Sequence, residues 1–125
     1  MNVIAVRGAV ALEETGDESS LMVEALGDLI DSLEDRNGFS AEDIISIHLT
    51  QTSDLRKKNA AAALREGRPA YNNVPLFCAR EPEVENSLPR TLRLLVTWRG
   101  TGPAVPVYSG AASSLRPDLS SGNDS

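Results

Sequence analysis

Arg93 is the residue in this chain whose position most clearly suggests chemistry. It interrupts an otherwise apolar run at residues 92–98, which is typical of a β-strand in which successive side chains point to opposite faces. A guanidinium stays protonated at any physiological pH, so it needs an anionic partner when it lies in such a strand. That anion is either a structural carboxylate, for which Glu81 and Glu83 are candidates, or a ligand.

Other basic and polar residues recur at the ends of predicted strands or helices. Arg7, Arg65, Tyr108 and Arg116 are in such positions, and Cys78 and Glu81 lie at the end of the predicted third strand. Because arginine forks match carboxylates in geometry, this set indicates a cationic pocket for a small molecule that carries carboxylates. Taken alone, each of these residues also has a purely structural interpretation, such as a solvated arginine, a core cysteine or an interface tyrosine.

Several site classes are excluded by what the sequence lacks. His48 is the only histidine, so neither a Ser-His-Asp nor a Cys-His arrangement is supported, and His48 itself is interpreted without a ligand role. The sequence contains no glycine-rich phosphate loop and no group of residues with metal-ligand spacing.

Length, charge and composition favour one soluble domain. The chain has 125 residues, of which 41% are hydrophobic and 4% aromatic, and its net charge is −6. The negative charge argues against nucleic acid as a partner. No apolar run is long enough to span a bilayer, and the N-terminus does not resemble a signal peptide. A single cysteine fits a reducing compartment, so we expect a cytoplasmic protein.

The hydrophobic pattern predicts two main helices and five strands. The first helix is expected after Asp17 as its N-cap and ends at Asn37-Gly38, and the second is expected to run from a cap at Asp54 to Gly67. Strands are predicted at residues 3–6, 44–50, 74–80, 92–98 and 105–109, with a turn after the first strand at Arg7-Gly8.

This order of elements places the chain in the α/β or α+β class, with a mixed β-sheet and the two helices on one face. The other face carries polar and charged residues among apolar ones, so we expect it to be covered by a partner subunit. From Ser113 onward the sequence is rich in Ser, Gly and Asp, which is typical of a disordered end.

Five motifs, in order and in register, carry a family resemblance. They occupy residues 7–9, 74–81, 87–93, 107–108 and 115–119. Together they resemble the AroH-type chorismate mutases, a small homotrimeric class with a pseudo-α/β-barrel fold. The resemblance extends from about Ile4 to Leu119, so we expect one such domain at residues 1–119 and a disordered tail at residues 120–125.

The resemblance implies an activity in aromatic amino-acid biosynthesis, from the shikimate pathway to phenylalanine and tyrosine. Chorismate is converted to prephenate by an intramolecular Claisen rearrangement, without a cofactor, a metal or a covalent intermediate. In this interpretation Arg93 lies beside the ether oxygen of the substrate. Arg7 binds a carboxylate, Tyr108 orients that end, and Glu81 takes the ring hydroxyl.

The remaining substrate-binding residues also follow from the resemblance. Cys78 contributes its thiol or its main chain beside Glu81, and Phe77 belongs to the same motif. Arg65 reaches into the site of a neighbouring subunit, so that each site lies at a subunit interface. Leu115 and Arg116 belong to a C-terminal segment that closes over the site.

The chain departs from the family pattern before its second helix. Relatives usually have Thr-Pro-Asp-Leu and Phe-Pro-Ala where this chain has Thr52-Ser53-Asp54-Leu55 and Asn59-Ala60-Ala61. Asn59 does not supply the apolar wall that phenylalanine would. This departure motivates an alternative function, a non-catalytic binding or sensor module of the same trimeric fold for a carboxylated metabolite. A trimeric enzyme acting on imines or enamines explains the motifs least well.

Overall fold

The computed structural model describes residues 2–114 and contains one five-stranded sheet with two α-helices. The strands are β1 (Asn2–Ala11), β2 (Ile44–Gln51), β3 (Leu76–Arg80), β4 (Thr91–Gly100) and β5 (Val107–Ser109). The helices are α1 (Glu18–Asn37) and α2 (Ala60–Gly67), and short 3₁₀ turns lie at Ala41–Asp43, Pro69–Tyr71 and Gly110–Ser114. The predicted disordered tail and the residues Leu115 and Arg116 lie outside the described part.

The sheet is mixed, as the sequence predicted. Its strand order is β3-β2-β4-β1-β5. The central strand β4 runs antiparallel to both β1 and β2, whereas β5 pairs parallel to β1 and β3 pairs parallel to β2. The Arg93 strand is therefore the middle of the sheet, with two strands on either side.

Both ends of α1 are formed by the residues that the sequence indicated. The carboxylate of Asp17 accepts a hydrogen bond from the backbone N–H of Ser20 at 2.9 Å, and this bond lowers the pKa of Asp17. At the other end, Gly38 adopts the left-handed conformation (φ 73°) and donates its N–H to the carbonyl of Glu34. Such caps satisfy backbone groups that the helix itself leaves unpaired.

The hydrophobic core lies between one face of the sheet and the two helices. It combines the apolar stripe of α1 with the alternate residues of β4 that face the helices, and its fully buried side chains include Leu26, Ile30, Leu33, Leu92, Val96 and Trp98. No helix in the part of the chain from residue 2 to residue 114 is long and apolar enough to cross a membrane.

The predicted turn at Arg7-Gly8 is wrong, because β1 continues to Ala11. Gly8 lies in the middle of the strand and faces α1. A Cβ atom at this position would lie 2.9 Å from Cδ1 of Leu33 and 3.2 Å from Cδ1 of Leu94. The glycine is therefore explained by the close approach of α1 to the sheet rather than by a change of chain direction.

The predicted start of α2 at Asp54 is also wrong. The side chain of Asp54 accepts hydrogen bonds from the backbone N–H of Arg90 and from the hydroxyl of Thr52. Asn59 is the N-cap instead, since its side chain accepts from the N–H groups of Ala61 and Ala62. The residue that departs from the family pattern thus has a definite local function, which is to begin the helix.

Removing this cap should destabilise the fold by about 1 kcal/mol, the usual cost of replacing an asparagine cap with alanine. We therefore expect Asn59→Ala to lower the midpoint of urea unfolding, and Asn59→Asp, which keeps the accepting oxygen, to restore most of the loss. Equal stability of the alanine variant and the parent would show that the cap contributes nothing.

Candidate active site

The face of the sheet opposite the helices, hereafter the open face, carries Arg93. The pairing registers place one residue of every strand in a row across it. Arg93 is paired with Thr50 of β2 on one side and with Ala9 of β1 on the other. The row is completed by Ala79 of β3 and Tyr108 of β5.

Arg93 and Glu81 form an ion pair on this face. The Nε atom of Arg93 lies 3.2 Å from Oε2 of Glu81, and both side chains are largely but not completely buried. The other carboxylate oxygen of Glu81 accepts a hydrogen bond from the hydroxyl of Thr50, and the backbone N–H of Glu81 donates to the carbonyl of Gln51 at 2.8 Å. Glu81 is thus held by β2 and stands beside the arginine of β4.

The guanidinium of Arg93 keeps donors for a ligand. Its Nε–H is close to Glu81 but does not meet the geometry of a hydrogen bond, and the side chain remains 36% exposed. Within residues 2–114, no other anionic group is in ion-pair distance of Arg93. A planar guanidinium that stands beside one carboxylate and remains partly exposed is suited to bind an oxygen atom with developing negative charge.

Glu83, the other carboxylate considered for Arg93, is committed elsewhere. A hydrogen bond with the side chain of Ser53 and the positive charge of Arg80 lower the pKa of Glu83, and Nη2 of Arg80 lies 3.0 Å from its Oε2. Glu81 is therefore the carboxylate that accompanies Arg93 in this chain.

Arg7 and Tyr108 lie on the open face with Arg93. Arg7 of β1 is paired with Leu95, one row away from Arg93, and its side chain is exposed. Tyr108 is only 3% exposed and packs in a small cluster with Ala9, Ala11 and Ala112. The exposed cation and the buried phenol thus lie on the same face as the Arg93–Glu81 pair.

The short segment that carries Tyr108 is followed by Gly110, which is in the left-handed region (φ 63°). A Cβ atom there would lie 2.5 Å from the carbonyl oxygen of Ala11. We expect Gly110→Ala to cost about 1–2 kcal/mol for the backbone conformation alone and to displace Tyr108, with a lower melting temperature and a higher KM.

Gly38→Ala is the matched control, because Gly38 has a similar φ of 73° but no atom within 4 Å of an added Cβ. It should lose stability without a change in KM. If both variants change KM equally, the effect is not specific to the position of Tyr108.

Three of the predicted site residues are not brought to Arg93 within this chain. The side chain of Cys78 packs against the core on the helix side of the sheet, with its sulfur 3.4 Å from Oε1 of Gln51; the geometry therefore leaves the main chain, and not the thiol, for a role beside Glu81. Arg65 lies on α2, in the helix layer. Phe77 is on the open face but at its edge, 67% exposed, with its ring beside that of His48.

Thr50 is the site residue that sequence reasoning missed. Nothing local distinguishes it from other threonines in strands, and its importance follows only from the registers that place it between Arg93 and Ala79. Its hydroxyl fixes the orientation of the Glu81 carboxylate. A Thr in the predicted second strand, on the face opposite its apolar residues, was the only signal available.

Known proteins of a single family match almost the whole chain. The family model for chorismate mutase type I matches residues 3–119. A chorismate mutase AroH from Thermus thermophilus is 36% identical over 120 residues, which cover 93% of this chain and 95% of that protein. A chorismate mutase AroH from Bacillus subtilis is 29% identical over 123 residues, covering 96% and 94%.

The fold agrees with these matches. The structure of a chorismate mutase from Clostridium thermocellum superposes with a TM-score of 0.79 at 26% identity, covering 88% of this chain and 97% of that one. The resemblance found in the sequence motifs is confirmed: the chain belongs to the chorismate mutase type I family and is a chorismate mutase.

Proposed function

We propose that this chain rearranges chorismate to prephenate by holding the substrate in a reactive shape and by stabilising its breaking ether bond with Arg93. The observation that carries this proposal is the Arg93–Glu81 pair on the open face, in which the Arg93 side chain remains 36% exposed. The product, prephenate, then enters the synthesis of phenylalanine and tyrosine.

The chemistry needs few functional groups. In a Claisen rearrangement the ether carbon–oxygen bond breaks while a carbon–carbon bond forms in the same molecule, and no proton or other group is exchanged with the enzyme. Rate acceleration then comes from substrate confinement and from fixed charge at the oxygen where negative charge develops. The two arginines of the open face, Arg7 and Arg93, suit this requirement.

Glu81 and Thr50 have supporting roles in the proposal. Glu81 neutralises part of the charge of Arg93 and lies beside its Nε atom, which leaves the terminal nitrogens for the substrate. Because only one carboxylate oxygen is taken by Thr50, Glu81 can also accept the ring hydroxyl of the substrate. The main chain at Cys78 is assigned to the same hydroxyl.

Arg7 and Tyr108 are assigned to the carboxylate end of the substrate. Arg7 is exposed and lies one row from Arg93, so a carboxylate can reach its guanidinium from the open face. Tyr108 is fixed by its cluster and orients the same group. Phe77, Leu115 and Arg116 complete the substrate-binding set.

We further propose that the working unit is a homotrimer in the cytoplasm, with three sites at subunit interfaces. Two observations support this assembly. Both helices cover the same face of the sheet, and the open face leaves Leu95 38% and Phe77 67% exposed. In this arrangement Arg65 of one subunit completes the site of its neighbour.

The test is direct. Purified protein mixed with chorismate should remove the absorbance of chorismate faster than the uncatalysed reaction and yield prephenate. If chorismate instead raises the melting temperature but is never converted, the chain is a binding module of the same fold and the proposed mechanism fails.

A further inference from the structure

A second cationic feature lies at the β3 edge of the sheet, in a cleft of about 790 Å³. The cleft is bounded by the ends of β2 and β3 and by the loop that leads to α2. Four of its lining residues are basic and none of the described lining residues is acidic; the basic ones are Arg56, Lys57, Lys58 and Arg80. This is notable in a chain whose net charge is −6.

Two of the four cations have their charge committed to an adjacent carboxylate. Nζ of Lys58 lies 2.7 Å from Glu66, and Arg80 pairs with Glu83. Arg56 has no ion pair within residues 2–114. Lys57 has no partner at contact distance there either, although its charge contributes, as a minor cause, to the lowered pKa of Asp17.

The backbone that carries Arg56 and Lys57 is anchored. One oxygen of the Glu18 carboxylate accepts both backbone N–H groups, each at 2.7 Å, and the Glu18 side chain is only 15% exposed. The two exposed cationic side chains therefore extend from a fixed stretch of backbone that lines the cleft, and neither forms an ion pair with Glu18.

The cleft lies on the helix side of the sheet, next to the strand ends that hold Glu81. Gln51 lines the cleft, and its carbonyl receives the backbone N–H of Glu81. Thr50, the preceding residue, donates to the carboxylate of Glu81. The cleft and the Arg93–Glu81 pair are thus adjacent, on either side of the same strand ends.

We propose that Arg56 and Lys57 are specificity-determining residues that bind a carboxylate of the dianionic substrate at the mouth of the cleft. This inference rests on the proposed function. Since the two charges lie away from the breaking bond, they favour substrate capture and set KM, whereas Arg93 sets kcat. Charge attraction of this kind raises the rate of association and weakens with salt.

The experiment compares the parent with Arg56→Gln, Lys57→Gln and the double variant, using chorismate at several ionic strengths. We expect kcat/KM of the double variant to fall about tenfold at low salt, through KM, with kcat unchanged and with a flatter dependence on salt. Arg36→Gln, which makes the same change in net charge as either single variant but at the far end of α1, is the control and should keep the KM of the parent.

Each outcome decides one point. A double variant with the KM and salt dependence of the parent overturns the proposed role of Arg56 and Lys57, while its continued turnover leaves the proposed function intact. A loss of kcat with unchanged KM also overturns it. If the parent itself does not convert chorismate, the proposed function fails first. Melting temperatures identify any variant whose KM changes because the loop has unfolded.

Discussion

Arg93→Ala is expected to lower kcat for chorismate by at least about 10²–10³-fold, the cost of removing one preorganised group that stabilises charge in a transition state. The reason is the position of Arg93. It stands on the central strand of the sheet, beside Glu81, and its side chain remains partly exposed. Arg7, the other arginine of the proposed site on this face, is paired with Leu95 and does not occupy this point of the sheet.

The same substitution should leave the fold nearly intact. Arg93 is partly exposed, its carboxylate partner remains hydrogen-bonded to Thr50, and partly exposed ion pairs contribute little to stability. Arg93→Lys should retain the charge but remain impaired, since an ammonium cannot reproduce the planar fork. Steady-state kinetics with circular dichroism and thermal melting separate the two effects.

Arg68→Ala is the matched control for Arg93→Ala. Arg68 packs over Gly27 and pairs with Asp31 in the helix layer, so its loss should reduce stability and leave kcat unchanged. The two arginines are thus expected to give opposite results. If Arg93→Ala keeps kcat within tenfold of the parent, the proposal that Arg93 stabilises the breaking ether bond is wrong.

The sequence predicted best those features whose causes are local. The ends of α1 depend on Asp17 and Gly38, and both act within four residues along the chain. The face of Arg93 likewise follows from strand alternation alone. These predictions required no knowledge of what packs against the helix or the strand.

The errors have non-local causes. Asp54 would cap a helix if it were free, but it is used by Arg90, 36 residues away. Gly8 resembles a turn residue, yet glycine is required there because a side chain would collide with Leu33 of α1. The role of Thr50 depends on strand registers, which the sequence pattern does not specify. Glu81, by contrast, was a candidate because it closely follows a predicted strand.

Leu95→Glu is expected to dissociate the proposed trimer and to abolish most of the activity. Leu95 lies on the open face between Arg7 and His48 of the neighbouring strands, and it is 38% exposed in the single chain. A carboxylate there can pair with Arg7 in an isolated subunit, so the fold tolerates it. In an assembled interface the same carboxylate would have to lose its water, which costs several kcal/mol.

Sedimentation should therefore give a mass near the 13.4 kDa of one chain for the variant and three times that mass for the parent. Ala70→Glu adds the same charge at an exposed position of the helix layer and should remain trimeric and active. Because the new carboxylate also faces Arg7, the loss of activity has two possible causes. Dissociation predicts that specific activity recovers as protein concentration rises, whereas neutralisation of Arg7 predicts no recovery. A Leu95→Glu protein that stays trimeric would show that the open face is not the subunit interface.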